Sequence, residues 1–169
     1  KSLLFLFSLI ILNFFFSIYF LSHIYDGHHQ GLMFSNAIDI LKGKKPYSEI
    51  YIQYGLLTTI IHAVTLKIFG IKVFFLNILT IVLYLFSIFL IYKITYKITN
   101  GKYALISSIS LLFCHPLVWL PWANYIAFFF IVLSLFFLIN KKNFFIFGLS
   151  LSLSALSRQE FLLPIVISL

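Results

Sequence analysis

Apart from its lysines, this chain of 169 residues has little for acid–base or phosphate chemistry: four acids, five histidines and one arginine. They are unevenly placed. Asp26 stands with His28 and His29 in the run His23-Ile24-Tyr25-Asp26-Gly27-His28-His29-Gln30-Gly31, directly after a long apolar stretch. A carboxylate at the edge of hydrocarbon, partly desolvated, takes a raised pKa and serves as a general base toward an incoming hydroxyl. Gly27 and Gly31 leave the backbone free to close around a ligand. The plainer role for Asp26 is a loop carboxylate satisfying backbone donors near a helix start. Its company, two histidines here and Glu49 and Glu160 elsewhere, favours chemistry.

His28 and His29 are adjacent, so their side chains diverge and do not form a ready pair of metal ligands. A divalent metal would need Glu49, His62 or Glu160 as a further donor, and is the weaker reading. In the stronger one, an imidazole donates to a phosphate or sugar oxygen while its neighbour orients Asp26. His23, nearest the hydrocarbon, caps or snorkels. Arg158 offers a fixed fork of donors for a phosphate oxygen, and Glu160 an acceptor for a sugar hydroxyl. Two residues apart, they would not face one another on a helix. Alternatively, Arg158 pairs with Glu160 or with lipid head groups and marks a membrane boundary. Tyr47, Glu49, Tyr51 and Gln53 alternate in what reads as an extended stretch, so their side chains share a face. Glu49 and Gln53 join the substrate-binding candidates on that basis. Trp119, Pro121, Trp122, Asn124 and Tyr125 read as an aromatic belt and tight turn, in which Asn124 could reach a ligand.

The elements that must position these groups are solvated by lipid. Residues are 62% hydrophobic and 9% charged, with 22 Phe, too apolar for a soluble domain of this size. The net charge of +8 falls in short lysine clusters between apolar runs, the pattern of a positive-inside bias and not of a nucleic-acid surface. Cys114 is the one cysteine, which excludes an internal disulfide and a cysteine metal cluster. The expected fold is an all-α polytopic membrane protein, a single unit over 1–169. Spans are expected at about 2–21, 73–92, 103–120, 123–139 and 143–157, with another beginning at 161. The first run lacks a cleavage site and reads as a retained span. Lys1 in place of Met, and an end inside an apolar run, lead us to expect the N-terminal part of a longer protein.

The loop of about 22–72 holds two further helices. One covers 31–42, with Ser35, Asn36, Asp39 and Lys42 on its polar side and Met33, Ala37, Ile40 and Leu41 on its apolar side; Asp39 is expected to pair with Lys42. Gly43 ends it and Pro46 keeps it from continuing. The other covers 54–69, about 24 Å of helix against a hydrocarbon core of about 30 Å. Thr58, His62 and Thr65 lie on one side, with Leu57, Ile60, Ile61, Val64 and Ile68 on the other, which favours a helix lying in the interface. This choice also puts Lys93, Lys97, Lys102, Lys141 and Lys142 inside. It leaves Lys42, Lys44, Lys45, Lys67 and Lys72 outside, facing anionic lipid or substrate. Asp26, Glu49, Gln53, His62, Asn124, Arg158 and Glu160 then gather on the outer face, where His62 is either site lining or simply exposed.

The arrangement resembles the GT-C glycosyltransferases, near the protein O-mannosyltransferases and the lipid A aminoarabinose transferases. The likeness rests on an acid soon after the first span (Asp26), a short helix ending at Gly43, and the Pro46-Tyr47 approach. It continues with a second helix opened by Tyr54-Gly55-Leu56-Leu57 and closed by Phe69-Gly70, then Arg158-Gln159-Glu160. It implies inverting transfer of a sugar from a polyprenyl-phosphate donor to a glycan, lipid or protein acceptor, with Asp26 as base. Arg158 would hold the departing phosphate, and Glu49, His28 or His29 would position donor or acceptor. The family's usual second acid is replaced by Gly27-His28-His29. The expected location is the bacterial inner membrane with the site facing outward, an endoplasmic reticulum enzyme being the other option. Competing classes are a multi-pass transporter or channel subunit and a structural or assembly membrane protein.

Overall fold

The computed structural model describes residues 2–21, 26–114, 120–140 and 143–161. Among them the chain is helical throughout, without a strand: α1 (Ser2–Leu21), α2 (His29–Leu41), α3 (Leu56–Phe69), α4 (Val73–Ile98), α5 (Gly101–Cys114), α6 (Ala123–Asn140) and α7 (Phe144–Ser157), then a 3₁₀ turn at Gln159–Phe161. Three of the described helices are long and apolar enough to cross a membrane: Leu3–Leu21, Val73–Ile98 and Ala123–Asn140, with mean hydropathy of 2.4, 2.6 and 2.1. α3, α5 and α7 have 14 residues each, about 21 Å of rise. His23, His115, Trp119, Lys141, Lys142 and the expected helix beyond 161 lie outside the described residues.

α4 is the spine. It packs against α1, α5 and α6 along its length and against α2 and α3 near its start. The main core joins Leu6 of α1, Ile81, Tyr84, Leu85, Ile88 and Tyr92 of α4, and Ala104 and Leu112 of α5. The expected span ended near residue 92, but α4 continues to Ile98. Lysine is a good helix former and its long stem reaches outward: Lys97 Nζ donates to the Ile139 carbonyl at 3.1 Å and to Asn140 Oδ1 at 3.0 Å, tying the ends of α4 and α6. Asn143 caps α7 by accepting from the backbone N–H groups of Phe145 and Ile146. Ser154 Oγ donates across to the Ala127 carbonyl at 3.0 Å, locking α7 to α6.

At the other end of the bundle α2 and α3 form a cover. Ala37, Ala63, Leu66 and Leu76 bury a second small core between α2, α3 and α4. Asn36 was expected on the polar side of α2; it is buried and donates to the Tyr51 carbonyl at 2.9 Å, holding the 42–55 connection against the helix. Asp39 pairs with Lys44 at 2.8 Å, not with Lys42, because the chain turns back at Gly43, whose φ is +81°. Residues 47–49 form a turn instead of an extended stretch, closed by a hydrogen bond from the Tyr47 N–H to the Ile50 carbonyl.

α3 is turned the opposite way from a water-exposed amphipathic helix. Thr58, His62, Ala63, Thr65 and Leu66 are buried, while Ile60, Val64 and Ile68 are exposed. An apolar stripe directed outward suits lipid, and the hydroxyls on the inner side stay satisfied: Thr65 donates to the Ile61 carbonyl and Thr58 to the Ser157 carbonyl. The helix begins at Gly55, where α3 meets the end of α7. A Cβ on Gly55 would lie 1.9 Å from the Leu156 oxygen and 2.6 Å from the Ser157 oxygen. The bare backbone instead donates its N–H to the Ser157 carbonyl at 3.1 Å.

Candidate functional site

Asp26 sits at the entry to α2, where its carbonyl accepts the Gln30 N–H at 3.0 Å and four further hydrogen bonds hold it. Oδ1 accepts the backbone N–H groups of His28 at 2.9 Å and His29 at 3.2 Å; Oδ2 meets His29 Nδ1 at 2.6 Å. The Asp26 N–H in turn donates to Gln30 Oε1 at 3.0 Å, and Gln30 is buried. This is a capping arrangement in which side chain and backbone satisfy each other across the first turn. Gly27 and Gly31 contribute no unusual conformation, for only Gly43 and Gly70 among the described glycines have positive φ.

The expected raised pKa of Asp26 is corrected. The hydrogen bond from His29 holds the carboxyl below its ordinary value, assisted by the two backbone donors and opposed by partial desolvation. The cause is local: donors converge on the charged form more strongly than the surroundings penalise it. A carboxylate so stabilised is a poorer proton acceptor and a better anchor for an imidazole. His29 is partly exposed, its ring lies 5.1 Å from that of Trp122, and Nε2 has no hydrogen-bond partner among the described residues. His28 is exposed, its ring edge-on to His29 at 4.8 Å.

Trp122 precedes α6 and stacks on Tyr125 at 6.3 Å. Both line a cavity of about 260 Å³ together with Asn124, Tyr84 and Phe161. The Tyr84 hydroxyl donates to the Leu111 carbonyl at 2.7 Å. Trp122 Nε1 and Asn124 Oδ1 are sealed from solvent and have no partners among the described residues. Asn124 thus lines the cavity, though its carbonyl oxygen is not presented to solvent.

Arg158 and Glu160 form a second group at the same end of the bundle. Of the two expectations for them, the pairing is what forms: Nε and Nη2 of Arg158 both donate to Glu160 Oε2, at 2.8 and 2.5 Å. α7 has stopped at Ser157, Arg158 is extended (φ −151°, ψ 113°), and the turn that follows brings i and i+2 together. The guanidinium also lies over the Tyr54 ring, 5.3 Å from its centre. Nη1 is left for another acceptor, and Glu160 is largely exposed.

The remaining candidates are placed apart. Glu49 is exposed and accepts the Lys45 N–H at 2.6 Å, closing its own turn; Gln53 is exposed. His62 does not line a site and is not exposed at an interface. It is fully buried on the inner face of α3, neither ring nitrogen is bonded among the described residues, and burial pushes its pKa down to about 4. Among the described residues no three His, Cys, Asp or Glu side chains converge as metal ligands, so the set His28, His29 and Glu49 does not assemble. Gln30, Tyr54 and Trp122 are functional neighbours that residue type alone did not single out. The spacing of Gln30 from Asp26, one helical turn, was the available signal for the first. Comparison with protein-family models, with curated proteins and with solved structures finds no match to this chain.

Proposed function

We propose that the chain belongs to a multi-pass membrane glycosyltransferase of GT-C type, which moves a sugar with inversion from a polyprenyl-phosphate donor to a glycan, lipid or protein acceptor. The observation that carries this reading is the Asp26–His29 pair fixed at the start of α2, its imidazole against Trp122 and the adjoining cavity. Arg158 stands at the same end of the bundle. In the proposed orientation this end faces outward from a bacterial inner membrane, and the Lys97 end faces the cytoplasm. A lipid phosphate is already a leaving group, so the protein must supply a proton acceptor and charge stabilisation at the membrane surface. The Asp26–His29 pair serves the first need and the free edge of Arg158 the second.

The transporter reading draws less support. Buried polar side chains in the long helices are mostly hydroxyls, and Thr80, Ser87 and Ser134 each donate to a carbonyl of their own helix. They offer no relay of ionisable groups of the kind an ion path uses.

Purified full-length protein in proteoliposomes, given undecaprenyl-phosphate hexose and pentose donors and an envelope-lipid acceptor extract, is expected to release undecaprenyl phosphate. Arg158→Ala should lower the rate by about 10- to 100-fold through lost phosphate stabilisation. No release above protein-free vesicles with any donor would remove the transferase reading.

A further inference from the structure

On the transferase reading, we propose that the proton acceptor is Nε2 of His29 and that Asp26 is its positioning residue, not itself the base. Both oxygens of the Asp26 carboxylate are already engaged. Oδ1 holds two backbone N–H groups and Oδ2 holds His29 Nδ1. Oδ2 keeps a second lone pair, but the donors already bound to the carboxylate make it the weaker proton acceptor. The imidazole has what the carboxylate lacks. A hydrogen bond from Nδ1–H to Oδ2 fixes the tautomer that leaves a lone pair on Nε2, and the carboxylate stabilises the imidazolium that forms.

The pair is preorganised. The Asp26 backbone is itself tied to buried Gln30, and the Trp122 ring, tilted at 60° to that of His29, limits its swing. The titratable groups beside His29 are Asp26 and His28 on its own segment; Trp122 on the α6 side adds no charge, and Tyr125 lies behind Trp122.

The step balances. The acceptor hydroxyl gives its proton to His29 Nε2 while its oxygen forms a bond to the anomeric carbon. The bond from that carbon to the phosphate oxygen breaks, and the electron pair leaves on polyprenyl phosphate. The imidazolium then returns its proton to water.

Asparagine and serine cap helices about as well as aspartate, so capping and positioning can be separated. Asp26→Asn and Asp26→Ser should keep the fold by circular dichroism and lower transfer by about 10²- to 10⁴-fold. His29→Gln should lose transfer to the same extent. Asp26→Ser with wild-type rate overturns the proposal, as does His29→Gln that keeps transfer while Asp26→Asn loses it. Nitrogen-15 NMR of the His29 ring needs no substrate. A protonated Nδ1 and bare Nε2 in the wild type, mixed in Asp26→Ser, supports the pair even if no donor is turned over. The opposite tautomer, or one indifferent to residue 26, sinks it. Failure of the transferase reading alone shows as an inert wild type with the expected tautomer.

Discussion

At the scale of single residues, the chemistry follows from which donors reach a group before any ligand does. Asp26 is acidic because His29 and two backbone N–H groups converge on it. The folded pKa lies below the usual value, so its contribution to stability is present above the ordinary carboxylate range and disappears only as the pH falls through the lowered value. His62 has a different origin. Burial without a partner keeps its imidazole neutral down to about pH 4, while an unfolded histidine takes up a proton near 6.5. The unfolded chain therefore binds the extra proton between those values, and stability falls as the pH drops from about 6.5 toward 4. The loss is on the order of 3 kcal/mol across that window. Detergent-solubilised protein unfolded by heat at pH 7 and at pH 4.5 should show it. His62→Leu should flatten the difference, and an unchanged difference in that variant would show that His62 is not its source.

At the scale of elements, the junction of α3 with α7 depends on the absence of one methyl group. The Ser157 carbonyl at the end of α7 accepts both the Gly55 N–H and the Thr58 hydroxyl, so α3 caps its neighbour. Gly55→Ala would drive a Cβ into backbone atoms, which do not yield as a flexible side chain does. A loss of about 2–4 kcal/mol and a several-degree fall in Tm are expected. Thr58→Val, which removes only the hydroxyl, should cost about 1 kcal/mol. Thermal unfolding of both variants checks the order, and equal losses would show that the close backbone approach at Gly55 matters no more than the Thr58 hydrogen bond. Arg158 depends on the same junction, because Tyr54 beneath its guanidinium is the residue before Gly55.

At the scale of the whole molecule, orientation is the quantity to test. With Cys114 replaced by serine, a cysteine at Glu49 should react with a membrane-impermeant maleimide on intact cells, whereas one at Lys102 should react only after permeabilisation. Both positions are exposed, so reversed labelling would turn the proposed topology over. Much of this layout was legible in sequence. α7 coincides with the apolar run Phe144–Ser157, and α6 begins at Ala123 as expected, because long apolar runs bounded by asparagine, lysine or proline leave little freedom. The pairings were less legible. Asp39 finds Lys44 because the chain reverses at Gly43, and the pairing of Arg158 with Glu160, one of two alternatives in the sequence, is decided by α7 stopping one residue earlier. Each depends on backbone direction at a boundary, where periodicity ends. The orientation of α3 escaped because its amphipathic pattern does not say whether water or lipid lies outside. One consequence concerns synthesis. The bond from Thr58 to Ser157 joins residues 99 apart in the chain, so α3 emerges from the ribosome long before its partner exists. Until then the Ser157 carbonyl that receives both Gly55 and Thr58 is absent, and the junction of α3 with α7 closes only after α7 has been made.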